Sequence, residues 1–136
     1  MSAVHLRGKK TPAKRDSDPI KRKPKAPAHL TPFAVKEWDR VLPMLIEREL
    51  ICSADLGMVE SFCIQRGLIV ELEARRREAI KKEDTKLMVS LLRLQKDATL
   101  TAARLSASLG LDPSSRARLL DTQGDFNDDT PNPLDM

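Results

Sequence analysis

Residues 53–109 read SADLGMVESFCIQRGLIVELEARRREAIKKEDTKLMVSLLRLQKDATLTAARLSASL. Apolar residues recur in this stretch at steps of three and four, the spacing of one helix face, on both sides of a polar turn at Lys81-Lys82-Glu83-Asp84. Two amphipathic helices joined by a short turn fold back on each other. The stretch therefore predicts an all-α fold built on a long antiparallel helical hairpin.

A shorter helix is predicted on the N-terminal side of the hairpin. Thr31 is suited to cap this helix and Pro32 to be its first residue, where a missing N–H costs nothing. We interpret Trp38 as a core anchor that holds the helix on the hairpin, with a stacking platform for bases as the alternative. Pro43 is expected to end or kink the helix.

Capping residues also mark the helices that follow. Ser53 is predicted to cap the first hairpin helix, with Asp55 near its positive end. Gly110 is suited to end the second hairpin helix, because glycine readily adopts a left-handed backbone. Asp112 is then expected to cap a short C-terminal helix that begins at Pro113.

Charge is distributed unevenly along the chain. Residues 1–29 carry nine Lys or Arg and two Asp, whereas residues 121–136 carry five Asp and no basic residue. Residues 1–29 also contain four prolines and residues 121–136 contain two, and prolines interrupt regular structure. We therefore predict three regions: a disordered basic arm at residues 1–28, a helical domain at 29–120 and a flexible acidic tail at 121–136.

The sequence contains no group of residues that an enzyme would need. His5 and His29 lie in or beside the basic arm, and the spacing of Cys52 and Cys63 fits no common metal or redox motif. We expect no enzymatic activity, no cofactor and no metal, and we interpret both cysteines as cytosolic thiols. Because no apolar run suits a signal peptide or a membrane span, neither secretion nor membrane insertion is expected.

The basic arm is the first candidate contact for DNA. Clustered Lys and Arg side chains bind phosphates well and read bases poorly. The alternative is that the arm only keeps the protein soluble. The candidate residues of the arm are Arg7, Lys9, Lys10, Lys14, Arg15, Lys21, Arg22, Lys23 and Lys25.

A second candidate DNA contact lies on the first hairpin helix. Glu71 precedes Arg75 by four residues, and Glu73 precedes Arg77 by four, a spacing that favours ion pairs on an exposed helix. These residues therefore form either a salt-bridged surface or a second phosphate-binding patch. The candidates here are Arg75, Arg76, Arg77, Lys81 and Lys82.

Three blocks of the sequence resemble the P27 family of phage terminase small subunits, which is associated with HK97-like phages. The first is His5-Leu6-Arg7-Gly8-Lys9. The second runs from Leu30-Thr31-Pro32 through Glu37-Trp38, Leu42-Pro43, Leu45, Leu50 and Asp55 to Phe62-Cys63. The third, Leu109-Gly110-Leu111-Asp112-Pro113-Ser114-Ser115-Arg116-Ala117-Arg118-Leu119, is close to the closing Leu-Gly-Leu-x-Pro-x-x-Arg signature of that family. The resemblance covers most of residues 5–120.

The resemblance implies a non-enzymatic packaging protein of a tailed phage that acts in the host cytoplasm. Such a protein binds double-stranded viral DNA, assembles into a homo-oligomeric ring and delivers the DNA to the large terminase subunit. That partner would carry the ATPase and nuclease activities. No individual DNA-contacting residue is carried over from the family, because the matching positions look structural.

The hairpin has more apolar surface than one partner helix and the short Trp38 helix can cover. We expect the excess to contact neighbouring subunits, so that the hairpin forms the wall of an oligomer. The apolar positions concerned are Leu56, Met58, Val59, Phe62, Cys63, Ile69, Val70, Leu87, Met88, Leu91, Leu92 and Leu94.

Two other functions fit a small helical protein of this composition. A helix-turn-helix regulator would use residues 32–63, with the helix after Ser53 as the reader, but only Arg66 supplies a positive charge near its start. A helical adaptor would have no role with nucleic acid. The acidic tail is open to two readings, a contact with the large subunit or a shield for the arms of neighbouring subunits.

Overall fold

A computed structural model describes residues 18–124 of the chain, with side chains from residue 18 to residue 118. The described residues form four α-helices, without strands: α1 (Pro32–Glu47), α2 (Leu56–Lys81), α3 (Thr85–Leu109) and α4 (Pro113–Gly124). A short 3-10 turn at Ser53–Asp55 precedes α2. Helices α2 and α3 pack along each other as a hairpin, and α1 packs against α2. The all-α prediction, with a long hairpin between two shorter helices, is confirmed.

Most of the predicted caps are present. The Thr31 hydroxyl accepts a hydrogen bond from the backbone N–H of Ala34 at 3.3 Å, and α1 begins at Pro32. Asp84, which was predicted only as part of the polar turn, also caps α3 by accepting from the N–H of Leu87 at 3.1 Å. Gly110 ends α3 with a left-handed backbone, φ 73°, and Asp112 accepts from the N–H of Ser115 in α4 at 2.6 Å. The Ser115 N–H also lowers the pKa of the Asp112 carboxyl, because it stabilises the charged form.

The predicted cap at Ser53 is not formed. Instead, the Asp55 carboxylate accepts from the backbone N–H of Cys52 at 2.9 Å, and α2 begins one residue later, at Leu56. Asp55 was expected only to lie near the positive end of the helix. Its side chain therefore closes the 3-10 turn that leads into α2.

Helix α1 does not end at Pro43, as the sequence allowed, but continues to Glu47. A proline inside a helix removes one hydrogen bond and costs about 3 kcal/mol. Here Pro43 is exposed, while Val41, Leu42 and Leu45 beside it are fully buried. Burying such side chains contributes about 1.5–3 kcal/mol each. Packing of the inner face thus outweighs the local penalty.

The main core lies among α1, the first half of α2 and the end of α3. Trp38 is at its centre and is only 2% exposed, which confirms its role as a core anchor. Gly67 of α2 lies against Ala34 of α1, so that these two helices approach closely. A smaller core near the hairpin turn contains Leu72, Ala79 and Leu91. Most of the buried residues therefore lie at the end of the hairpin where α1 packs.

Candidate nucleic-acid interface

Residues 18–31, here called the strap, contain no helix or strand but lie against the helical domain. The backbone N–H of Ile20 donates to the carbonyl of Ile51 at 3.0 Å. The indole Nε1–H of Trp38 donates to the carbonyl of Pro24, also at 3.0 Å. The strap therefore runs from the segment before α2, past the middle of α1, to the cap at the start of α1.

Side chains also join the strap to the helices. Lys23 forms an ion pair with Asp39 of α1, and the imidazole Nε2 of His29 contacts the Glu60 carboxylate of α2. Disorder predicted for residues 1–28 stays a prediction for residues 1–17, which lie outside the described residues. Over residues 18–28 the structure differs, because prolines that exclude a helix still permit an irregular chain to pack on a helix.

Three cationic side chains of the strap point into solvent. Lys21, Arg22 and Lys25 are all exposed, and no carboxylate of the described residues lies within 4.0 Å of their charged atoms. Lys23 is different, because Asp39 opposes its charge. The remaining candidates of the arm, Arg7, Lys9, Lys10, Lys14 and Arg15, lie outside the described residues.

The three adjacent arginines of α2 have different partners. Arg76 binds the Glu73 carboxylate through Nε at 3.0 Å and through Nη2 at 2.8 Å. Arg77 contacts the same carboxylate at 3.4 Å, as its four-residue spacing predicts. The predicted pair of Glu71 with Arg75 is not among the ion pairs of the described residues. Within residues 18–118, Arg75 is therefore the member of the three that is exposed and has no carboxylate within 4.0 Å.

Glu73 is also the link between the two hairpin helices. The side-chain amide of Gln95 in α3 donates to the Glu73 carboxylate at 2.9 Å. Hydrogen bonds from Arg76 first, and then from Gln95, lower the pKa of Glu73 to about 2. A carboxylate that accepts several hydrogen bonds holds its arginines in place, so this group forms a structural network that links α2 to α3.

The basic residues at the hairpin turn are far from the strap. Lys81 and Lys82 are exposed at the end of α2, and Lys82 lies 3.9 Å from Glu78. The 26 residues of α2 span about 39 Å. Because the strap begins beside the residues that precede α2, a single chain does not bring the two predicted DNA-contacting sets together.

Exposed apolar side chains are concentrated on the hairpin. On α3, Leu92 is 53% exposed and Leu94 is 55% exposed. Of the residues predicted to be in excess, Val59, Phe62, Cys63 and Leu91 are buried within the chain, and burial raises the pKa of the Cys63 thiol to about 12. The exposed large apolar residues of the hairpin are Met58, Ile64, Leu68, Val70, Ile80, Leu87, Val89, Leu92, Leu94 and Leu100.

Other kinds of site are not found among the described residues. No cluster of three or more His, Cys, Asp or Glu within residues 18–118 could hold a metal ion. Among the described helices, none is both long enough and apolar enough to cross a membrane. The helix that a helix-turn-helix regulator would use as its reader, α2, packs against α1 and α3.

Sequence reasoning missed the partners that fix the strap. No prediction paired Asp39 or Glu60 with the strap, because a single carboxylate on a helix does not indicate which residue it will contact. One feature of the sequence did indicate a further contact: Trp38 was expected to be buried, and a buried indole N–H usually needs a hydrogen-bond acceptor. The sequence does not indicate which segment of the chain supplies that acceptor.

Comparison with known proteins identifies the family. The family model described as phage terminase, small subunit, matches residues 34–125, about two thirds of the chain. The match begins in α1 and includes both hairpin helices and α4. Neither the curated proteins nor the solved structures gave a match. With a helical hairpin as its centre and a family match over more than half of its length, this chain belongs to the phage terminase small subunit family.

Proposed function

We propose that this protein is the small terminase subunit of a tailed phage of the P27, HK97-like type. It binds double-stranded viral DNA and delivers it to the large terminase subunit for packaging in the host cytoplasm. In this division of labour the large subunit supplies the ATPase and nuclease activities, and the present chain is not an enzyme. The observation that carries the proposal is the match of the small-subunit family to residues 34–125.

Self-assembly into a ring is part of the proposed function. Its support is the apolar surface that one chain leaves uncovered, above all on α3, where Leu92 and Leu94 are more than half exposed. Single exposed leucines are ordinary on protein surfaces, but many on one hairpin favour a partner. A ring of identical subunits would cover these residues and place the strap of every subunit at an equivalent position.

DNA binding by such a ring would be electrostatic and multivalent. Each subunit offers three unopposed strap cations, Lys21, Arg22 and Lys25, together with the basic residues of 1–17. Weak contacts repeated around a ring add up to strong binding that falls steeply with salt. Glu73 engages Arg76 and Arg77, so the rival interface on the hairpin would use Arg75, Lys81 and Lys82. Of these three, Lys82 already lies 3.9 Å from the Glu78 carboxylate.

Two triple substitutions with the same change in charge distinguish these interfaces. One replaces Lys21, Arg22 and Lys25 with Gln, and the other replaces Arg75, Lys81 and Lys82 with Gln. Binding to a fluorescent random-sequence DNA duplex is measured from low to moderate salt, and native mass is measured for each protein. We expect both variants to keep the native mass of the wild type, with the larger loss of affinity in the strap variant.

The wild-type measurements test the function itself. We expect a discrete assembly of many subunits and a DNA affinity that decreases linearly with salt on a double-logarithmic plot. A monomer without salt-dependent DNA binding would contradict the packaging function and favour a helical adaptor. A dimer that prefers one DNA sequence would instead favour a regulator.

A further inference from the structure

Trp38 connects the hydrophobic core to the strap. Its side chain is 2% exposed, and its indole N–H donates to the carbonyl of Pro24 at 3.0 Å. Leaving a buried donor without a partner is unfavourable. The strap backbone therefore supplies the acceptor that the buried Trp38 donor needs, and this hydrogen bond ties the strap to the core.

Two more contacts hold the strap before Pro24. The backbone N–H of Ile20 donates to Ile51, and the Lys23 ammonium pairs with Asp39. The side chain of Ile20 also packs against the main core. The backbone between residues 20 and 24 is thus attached at both ends, so its path is set by the helical domain.

The attached part of the strap holds exposed positive charges at fixed positions on the helical domain. Lys21 and Arg22 lie between the attachment points, and Lys25 follows the second one. All three are exposed, with no described carboxylate within 4.0 Å of their charged atoms. Lys23 alone is turned towards an acidic partner, Asp39.

We propose that the strap is a preorganised phosphate-binding element, with Trp38 as the residue that positions it. Lys21, Arg22 and Lys25 contact the DNA backbone, whereas Lys23 fastens the strap to α1 and is not a DNA contact. A segment already held in place loses less conformational entropy on binding than a free one. DNA affinity then depends on the Trp38 hydrogen bond, although the indole itself is buried. The inference rests on the proposed DNA-binding function.

The substitution Trp38→Phe tests this idea without changing any charge. It removes the N–H donor and keeps most of the apolar side chain. We expect DNA affinity at low salt to fall by a factor on the order of three to ten, which corresponds to the loss of one neutral hydrogen bond. Native mass should stay that of the wild type, and trypsin should cleave after Lys25 faster than in the wild type.

Phe62→Leu is the matched control in the core. Phe62 belongs to the same cluster and is 4% exposed, but its side chain has no polar group with which to hold the strap. We expect this variant to bind DNA with wild-type affinity. An equal loss of affinity in both variants would mean that a softened core is responsible, and would overturn the positioning role of Trp38.

A double-mutant cycle locates the effect in the strap. Trp38→Phe is combined with the triple substitution of Lys21, Arg22 and Lys25 to Gln. If the indole acts through these side chains, Trp38→Phe will change DNA affinity little in that background. The same fold-change in both backgrounds would overturn the proposal. Failure of the proposed function looks different, because the wild-type protein would then not bind DNA at all.

Discussion

Gly67 of α2 lies against the backbone of Ala34 in α1. A Cβ added at Gly67 would be 3.0 Å from the Ala34 nitrogen and 3.3 Å from its Cα. Backbone atoms cannot move aside as the end of a flexible side chain can. The distance between α1 and α2, and with it the position of Trp38 and the strap, is therefore set by the absence of a side chain at one position.

The first prediction is that Gly67→Ala will destabilise the protein by about 1–3 kcal/mol, the usual range for overpacking a core. Gly57→Ala is the matched control, because Gly57 is in the same helix and an added Cβ would meet nothing within 4 Å. Alanine is the better helix former, so Gly57→Ala should leave stability unchanged or raise it. Chemical denaturation of both variants measures the difference, and similar behaviour of the two would contradict the close approach.

The second prediction concerns the pH dependence of the Glu73 network. The pKa of Glu73 is lowered to about 2 from its ordinary value of 4.5, chiefly by the hydrogen bonds from Arg76. A carboxylate whose folded pKa is depressed stabilises the fold above its unfolded pKa, and this contribution disappears as pH falls through the folded value. We expect the thermal stability of wild type to exceed that of Glu73→Gln near pH 7, with the difference shrinking between about pH 5 and pH 2.

Glu71→Gln is the control for charge on the same helix. Glu71 makes no ion pair with the described residues. Its substitution should change thermal stability little, and the change should not follow the pH dependence of the Glu73 variant. A wild-type advantage over Glu73→Gln that stays constant from pH 7 to pH 2 would contradict the network.

The third prediction is that Asp84→Ala will weaken the start of α3. The Asp84 carboxylate accepts from the N–H of Leu87, and loss of such a cap costs about 1 kcal/mol. Asp84→Asn keeps an oxygen acceptor at the same place, so it should retain most of the stability. Urea denaturation of the two variants makes the comparison. Equal losses would show that the charge, rather than the cap, matters at this position.

The fourth prediction is that Leu94→Lys will reduce the native mass while each subunit stays folded. Leu94 is 55% exposed in the single chain, and substitutions at exposed positions usually change stability by less than about 0.5 kcal/mol. A lysine buried between subunits is far less favourable. Helical content by circular dichroism should therefore stay that of the wild type.

Asp97→Asn is the matched control, because it raises the net charge of the same helix by one, as Leu94→Lys does. Asp97 is exposed and lies on a polar part of α3, so we expect the native mass to be unaffected. Light scattering measures the native mass of both variants. If Leu94→Lys assembles like the wild type, the exposed part of α3 around Leu94 is not a subunit interface.

Much of this architecture could be predicted from local sequence. The polar turn at residues 81–84, the caps at Thr31, Asp84 and Asp112, and the end of α3 at Gly110 all depend on a few neighbouring residues. Hydrogen bonds over three or four residues and apolar repeats of helical period are local signals. For that reason the order and the type of the helices followed from the sequence.

The candidate interface depends on contacts between distant residues. Trp38 was predicted to be buried, but the segment that accepts its N–H is fourteen residues earlier. The sequence spacing predicted the pair of Glu73 with Arg77, but only the fold adds Arg76 to Glu73 and leaves the predicted pair of Glu71 with Arg75 unformed among the described residues. A count of charges in the sequence therefore could not predict which basic side chains lack an acidic partner.

Sequence by itself thus determined the helices and the uneven charge, because helix periodicity, caps and composition are properties of neighbouring residues. Tertiary structure decided that α1 continues through Pro43, that Trp38 donates a hydrogen bond to the strap, and that Lys23 is paired while Lys21 has no ion-pair partner among the described residues. These outcomes depend on which surfaces meet in three dimensions. Their free energies come from burial and from paired charges, which no short stretch of sequence contains.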